Sequence, residues 1–302
     1  MRDDSRASRS ALKRFLGPGL VLALMAVFGL PTTAFAAAIN VSLAVDTVTV
    51  AGDDAINTVH ITDDGTYVFV SDPAGATAGA GCEADPAVLT GVRCAKPLGG
   101  IAMIVVNLAA ENDILTTTGL GEPLTVSGGD GDDNLEGGAQ PDTLNGEIGD
   151  DTLDGGGLAD ALTGGDGIDT ADYDGTPDRN VSLDGAANDG AAGEGDNVQT
   201  ENVTTALGND TLTGDANANN LDGDAGNYTL IGAGGPDVLH GRAGIDTVDY
   251  SSAGGPVTVT IGVGADDGEA GENDEVRGTV ENVIGGSGDD TITGSTFANR
   301  LV

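Results

Sequence analysis

Gly128 to Asp172 reads GGDGDDNLE, GGAQPDTLN, GEIGDDTLD, GGGLADALT and GGDGIDTAD, five nine-residue units set back to back. Aspartate fills position six of every unit, as Asp133, Asp142, Asp151, Asp160 and Asp169. Position eight holds Leu135, Leu144, Leu153, Leu162 and Ala171, so an apolar side chain recurs in phase with the acid. An acid and an apolar residue locked two apart imply a turn that holds something and a short strand that buries something. Self-similarity at a fixed period signals a stacked solenoid, in which neighbouring units supply the core that one unit cannot build alone.

The same frame returns further along. From Thr205 it gives TALGNDTLT, GDANANNLD, GDAGNYTLI, GAGGPDVLH and GRAGIDTVD, and from Gly285 it gives GGSGDDTIT and GSTFANRLV. The stretches between also match each other. Asp169-Thr-Ala-Asp-Tyr173 recurs as Asp246-Thr-Val-Asp-Tyr250, and Glu201-Asn-Val203 recurs as Glu281-Asn-Val283, a higher repeat of roughly 80 residues. Val302 completes a nonapeptide, so the roll is expected either to end on an unrecognised cap or to continue in a longer protein.

The N-terminus has the parts of an export signal. Arg2, Arg6, Arg9, Lys13 and Arg14 precede an apolar run from Leu16 to Leu30, and Ala34-Phe35-Ala36 is a small-residue cleavage site. A membrane anchor is the alternative, but the run falls short of the ~20 apolar residues of a spanning helix. With residues 1–36 removed, six basic residues face 47 acidic ones, a net charge of −41. That balance excludes a basic nucleic-acid surface and attraction to an anionic membrane, and no later segment is apolar enough to insert. Cations are the natural partner. Acid-rich, aromatic-poor sequence does not bury enough apolar surface to order itself, so the chain should stay expanded until its carboxylates are neutralised.

Residues 37–127 differ in texture. Val45 to Val50, Thr58 to Thr62, Tyr67 to Ser71 and Ile101 to Leu108 are short β-branched runs, and Asp64-Gly65 is a hairpin signal. Cys82 and Cys94, the two cysteines of the chain, read as a disulfide around a loop in an exported protein, with metal ligation by two isolated thiols the alternative. Asn112-Asp113-Ile114-Leu115 resembles half of a repeat unit, and Leu124-Thr-Val126 supplies a strand directly before Gly128, so this β-rich region is expected to stack on the repeats as a cap.

Glycine at positions one, two and four allows a sharp turn with carbonyl oxygens on its inside, and aspartate at six adds a carboxylate oxygen beside them. Calcium takes six to eight hard oxygen ligands at about 2.3–2.6 Å, which suits such a mixture, whereas magnesium demands stricter octahedral geometry. Zinc and copper favour nitrogen and sulfur, for which the chain offers only His60 and His240 besides its cysteines.

On these units the sequence resembles the RTX, or haemolysin-type, calcium-binding nonapeptide GGxGxDxUx. The resemblance implies an all-β fold: a right-handed parallel β-roll with two nonapeptides per coil, like-side units eighteen residues apart, and calcium between their turns. It implies metal-site roles for Gly128, Asp130, Gly131, Asp133, Asp142, Gly149, Asp151, Asp160, Gly167 and Asp169, with Asp133–Asp151, Asp142–Asp160 and Asp151–Asp169 as intact pairs. In later blocks it implies Asp210, Asn219, Asp237, Asp246 and Asp290. Gln140 and Leu158 replace the position-four glycine, which should strain their turns or cost carbonyls. Tyr228 supplies no carboxylate to Asp210 or Asp246, so weak or absent ions are expected there, with Asn219–Asp237 the better pair.

The expected organisation is thus a leader at 1–36, a β-rich region at 37–127, repeat blocks at 128–173, 205–250 and 285–302, and acidic interruptions at 174–204 and 251–284. The interruptions carry Asp184, Asp189, Glu194, Asp196, Asp266, Asp267, Glu269, Glu272, Asp274 and Glu275, which read as solvated acidic loops with extra metal sites as the alternative. Tyr173 and Tyr250 read as packing over a roll end. No HExxH or GxSxG motif occurs, so a non-enzymatic, secreted calcium-binding protein with a structural or interaction role is expected. The alternative is an accessory segment of a larger RTX adhesin or enzyme. No protein or cell-surface partner is legible.

Overall fold

The computed structural model describes residues 39–44, 46–88 and 90–302; the leader at 1–36 lies outside them. The described residues are strand, turn and loop without helix, and no helix is long and apolar enough to cross a membrane. Four sheets account for the strands.

Position seven opens each strand and position eight points inward, because alternate side chains of a strand face opposite sides. Stacking follows at the expected eighteen-residue offset. Asn134–Gly138 pairs in parallel with Thr152–Gly156, with Leu135 opposite Leu153. Thr143–Ile148 pairs with Ala161–Asp166, with Leu144 opposite Leu162. All four leucines are buried, and so are Ala171, Val203, Leu212, Leu221, Leu230, Leu239 and Val248. The core is a one-residue-deep file of aliphatic side chains between facing sheets, which explains how a chain with so few aromatics still closes an apolar interior.

The turns are tight enough to decide residue type. Gly149 has φ +138°, and a Cβ there would lie 2.0 Å from the carbonyl oxygen of Gly131 one coil below. Leu158 occupies the equivalent position at φ +73° and is half exposed, so this turn is strained as expected. Gln140 stays out of the left-handed region.

Residues 39–127 are continuous with the roll. Thr47–Ala51 pairs in parallel with Met103–Ala110, which pairs with Leu124–Asp130, while Thr58–Asp63 pairs with Ile114–Thr118, which pairs with Asn134–Gly138. Between them the chain leaves the coil. It turns through the Asp64-Gly65 hairpin into Tyr67–Ser71, which pairs antiparallel with Gly91–Ala95. Cys82 and Cys94 face each other on adjacent strands with Cα atoms 4.3 Å apart, at disulfide distance.

Each acidic interruption ends one sheet and founds another. In the first, Asn197–Gln199 stacks on Ala161–Asp166 as the last strand of its sheet, and Arg179–Ser182 begins a new sheet that continues as Thr211–Thr213. The facing sheet runs straight through, from Thr170–Tyr173 to Asn202–Thr205. In the second, Glu275–Val276 ends that through-running sheet, and Val257–Thr260 begins a fourth, continued by Thr291–Thr293. The 80-residue super-repeat is therefore a relay: for one coil the roll has three sides, and then one side is retired.

Candidate metal centre

The position-six side chains stand at the entry to each strand and form columns, one along the edge of each sheet. In the through-running sheet the backbone N–H of Asp113 donates to Oδ1 of Asp133, Asp133 to Asp151, and Asp151 to Asp169, each at 2.8 Å. Asp169 then donates to Oε2 of Glu201 at 2.9 Å, and the column resumes with Asn219 to Asp237 and Asp237 to Asp274. In the first sheet Asp142 donates to Asp160 and Asp160 to Asp196. In the third, Arg179 donates to Asp210, Tyr228 to Asp246 and Asp246 to Glu281. The pairs Asp133–Asp151, Asp142–Asp160, Asp151–Asp169 and Asn219–Asp237 are thus brought together as the spacing required.

Oδ1 is consumed by the ladder, and Oδ2 is not. All eight aspartates at position six of the first two blocks (Asp133, Asp142, Asp151, Asp160, Asp169, Asp210, Asp237 and Asp246) keep a buried Oδ2 without a hydrogen-bond partner. Except at Asp210, whose unit opens on Thr205, these oxygens lie under the position-one glycine. A Cβ on Gly128 would sit 2.1 Å from Asp133 Oδ2 and 2.8 Å from the Gly146 carbonyl oxygen of the next coil. One on Gly137 would sit 2.4 Å from the Gly155 carbonyl oxygen and 2.8 Å from Asp142 Oδ2. Position one is glycine because a carboxylate and a carbonyl share the space a side chain would fill.

Burying a carboxylate away from water favours its neutral form, and the columns show it. Burial raises Asp133, Asp142 and Asp151 to about 6. Asp160 and Asp237 are pushed up to about 8, by burial first and then by Asp196 and Asp274 in the coil above. Asp169, Asp210 and Asp246 are raised too, again mainly by burial. Orphaned, desolvated oxygens beside backbone carbonyls fit a hard divalent cation, which would supply the partner that the protein withholds. Among the described residues no three His, Cys, Asp or Glu side chains converge on one point, so carbonyls must complete any coordination shell.

Departures from the pattern have structural consequences. Tyr228 is buried with its ring under Gly223, where other units hold Oδ2. Its hydroxyl donates to the Ala206 carbonyl at 2.5 Å and accepts from Asp224 N–H at 3.1 Å. Asn219 Oδ1 lies under Gly214 beside the Gly232 carbonyl, and it also accepts from Asp215 N–H. Asp290 is half buried and accepts from Val257 N–H, with Oδ2 under Gly285. Asp130 is exposed and stands outside the columns. Gly131, Gly149 and Gly167 stack at φ +136°, +138° and +158° as turn positions.

Two expectations are corrected. Asp189, Asp196, Asp267 and Asp274 are not solvated; they are 1–2% exposed, because Asp196 and Asp274 stand in for position six and Asp189 and Asp267 each hold backbone amides. Asp184 and Asp266 do face solvent. Tyr173 and Tyr250 do not cover an end. Each closes a strand at a relay and donates its buried hydroxyl to Oδ2 of Asp196 or Asp274, at 3.0 and 2.8 Å. Sequence reasoning also missed the exposed position-five ladder, in which Asp132 Oδ1 accepts from Asp150 N–H and Asp150 Oδ1 from Ile168 N–H.

A parallel roll with a column of half-satisfied carboxylates along each sheet edge defines a cation-stacked β-solenoid. Residues 127–162, 200–230, 231–249 and 280–302 match the family model of the RTX calcium-binding nonapeptide repeat in four copies. The repeat region of this chain therefore belongs to the RTX calcium-binding repeat family, whose nonapeptides bind calcium ions. A search of the curated proteins found no match to the chain.

Proposed function

We propose that this chain is an exported protein whose roll sets only when calcium fills the carboxylate columns outside the cell, giving a rigid rod with a structural or interaction role. The observation that carries this reading is the set of eight buried Oδ2 atoms without partners. Each is costly to ionise in the dry turn and becomes favourable once a cation lies beside it. Asp133, Asp151 and Asp169 on one side, and Asp142 and Asp160 on the other, are the ligands of the best-formed sites, with carbonyls of the glycine turns completing them. Asn219 with Asp237 serves the second block, and Asp290 the third.

An ion that binds only the folded chain stabilises it by RT ln(1 + [L]/Kd) at each site, so several sites filled together convert a charge-repelled coil into a roll. Calcium is scarce inside cells and plentiful outside. The leader and the net charge of −38 support the same reading, because the chain would stay loose until export. Circular dichroism of the full chain tests it: mostly coil in chelator and β-structure in millimolar calcium are expected. An unchanged spectrum across that titration would sink the reading.

A further inference from the structure

Outside the leader the chain has a single lysine, Lys96, and it stands between two carboxylates. Its Nζ donates to Oδ2 of Asp63 at 2.7 Å and to Oε1 of Glu122. The three residues come from separate stretches. Asp63 ends Thr58–Asp63, Lys96 follows Gly91–Ala95, and Glu122 precedes Leu124–Asp130, the strand that leads into the repeats. Register brings them together, because Tyr67 pairs with Ala95 and the Lys96 N–H donates to the Thr66 carbonyl beside the Asp64-Gly65 hairpin. The group is largely out of water. The side chains of Lys96, Asp63 and Glu122 are 15%, 9% and 8% exposed, whereas Arg93, Arg242 and Arg277 are more exposed in their own ion pairs.

Two features exceed what an ion pair needs. Glu122 Oε2 is buried without a hydrogen-bond partner, so this carboxylate is costly to keep charged and has an oxygen free to take a proton. Asp63 Oδ1 accepts the Gly65 N–H at 2.7 Å, which fixes the carboxyl group with Oδ2 toward the amine. The same N–H stands on the oxygen where negative charge would develop if the carboxyl carbon were attacked. A nucleophile, an electrophile with an aimed donor, and a second acid touching the nucleophile are thus collected in one water-poor place.

We infer that Lys96 and Asp63 condense to an amide in the folded chain with Glu122 as proton carrier, so that a covalent link closes the disulfide-bearing excursion where it leaves and rejoins the roll. The resting state is an ion pair: burial pulls the ammonium down, and the hydrogen bonds to Asp63 and Glu122 outweigh it, leaving Lys96 above its ordinary range. Reaction begins when the ammonium passes a proton to Glu122, which yields the neutral amine. Two of the three ammonium protons travel through Glu122 to Oδ2 of Asp63. The C–N bond forms at Cγ, the bond from Cγ to Oδ2 breaks, and Oδ2 leaves as water while Oδ1 remains as the amide oxygen. Glu122 ends as it began, and no oxidant or cofactor is consumed. Holding amine and carboxyl in contact gives the step the effective concentration of an intramolecular reaction, and each bond formed drains the minor neutral form.

Trypsin reads the link directly. Beyond the leader its first two sites are Arg93 and Arg179, since Lys96 is followed by Pro97. Asp63 therefore falls in the fragment that ends at Arg93, and Lys96 and Glu122 both fall in Cys94–Arg179. The full chain is folded in calcium, denatured, reduced and alkylated to open the disulfide, and then digested. Mass spectrometry should find the two fragments joined and lighter by one water than their sum. Separate fragments of unaltered mass would overturn the inference and leave an ion pair. A separate Cys94–Arg179 lighter by one water would put the link on Glu122 and overturn the assignment of Asp63. Lys96→Arg keeps the charge without a usable nucleophile, and Glu122→Gln keeps the shape without the proton carrier. Both should release separate fragments while keeping the parent's circular dichroism in calcium, and a joined species from Glu122→Gln would overturn the role of Glu122.

Discussion

The backbone N–H of Asp133 donates to Oδ1 of Asp151 at 2.8 Å, and Oδ2 of the same carboxylate is buried with no partner. One side chain thus performs two tasks across an eighteen-residue step. The first oxygen registers one coil on the next, and the second is left for a cation. Fold and binding are not separable in this molecule, because the residue that sets the stacking is the residue that holds the charge.

Asp151 sits between two intact neighbours in its column, so its loss should cost more than one site. Asp151→Ala removes the acceptor for Asp133 N–H, a charged hydrogen bond worth about 1.5–3 kcal/mol in a buried setting. It also removes a carboxylate from the turn. At saturating calcium the variant should melt several degrees below the parent, and calorimetry should count at least one ion fewer. A full ion count with an unchanged melting temperature would show that Asp151 is not a ligand.

Glycines of the same unit pair should respond very differently to one methyl group. A Cβ on Gly146 would lie 2.0 Å from Asp151 Oδ2, and Gly146 is not in the left-handed region, so Gly146→Ala tests the carboxylate's space and not backbone strain. Calcium affinity at that turn should fall at least tenfold. Gly157→Ala meets nothing within 4 Å and also lies outside the left-handed region, so its stability should change by less than about 0.5 kcal/mol. Calcium titrations of the two variants side by side distinguish them, and equal effects would refute the assignment of the space under position one.

Periodicity carried much of this into the sequence. Positions six and eight of the blocks at 128–173 and 205–250 could be read because each residue recurs in a fixed phase with its neighbour. Asp196, Asp274, Glu201 and Glu281 could not, although they continue the same columns. Their partners Asp160, Asp237, Asp169 and Asp246 lie 36, 37, 32 and 35 residues back, because the three-sided coil at each relay breaks the eighteen-residue count. The signal that remained was the recurrence itself: Glu-Asn-Val, and the octets Asp189–Asp196 and Asp267–Asp274 with their shared D-G-x-A-G-E-x-D pattern. In the N-terminal strands the β-branched runs were visible, but their pairing was not. Thr58 stacks on Ile114 across the whole disulfide-bearing excursion, and no local pattern encodes that distance.

The Tyr228 ring and hydroxyl fill the space under Gly223 that a carboxylate oxygen holds in other units, so its removal should not depend on calcium. Tyr228→Phe strips the hydroxyl from the part-buried Ala206 carbonyl and Asp224 amide, a loss of about 0.5–1.5 kcal/mol per hydrogen bond. That loss should be the same in chelator-free buffers of low and high calcium. Tyr228→Asp restores the column Asp210–Tyr228–Asp246 and should add at least one calcium to the count. A calcium-dependent penalty for the phenylalanine variant, or no added ion in the aspartate variant, would contradict the assignment.

Proton and calcium should compete for the same oxygens, and the sign of the pH dependence should invert between chelator and calcium. Without the cation, burial raises Asp133, Asp142 and Asp151 from the ordinary 3.8 to about 6, and Asp160 and Asp237 to about 8. The folded form then holds protons that the unfolded chain releases, so the contribution to stability is fully present below about pH 4 and is lost as pH rises through 6 and then 8. With calcium bound, the charged carboxylates gain a partner in the folded form only, which pulls their folded values below the unfolded ones. Stability is then present at neutral pH and is lost on acidification. Circular dichroism between pH 4 and pH 8 should show β-structure in chelator diminishing as pH rises, while thermal melts in millimolar calcium should show a midpoint rising with pH. Slopes of the same sign in the two series would mean that the buried Oδ2 atoms are not the oxygens the cation uses.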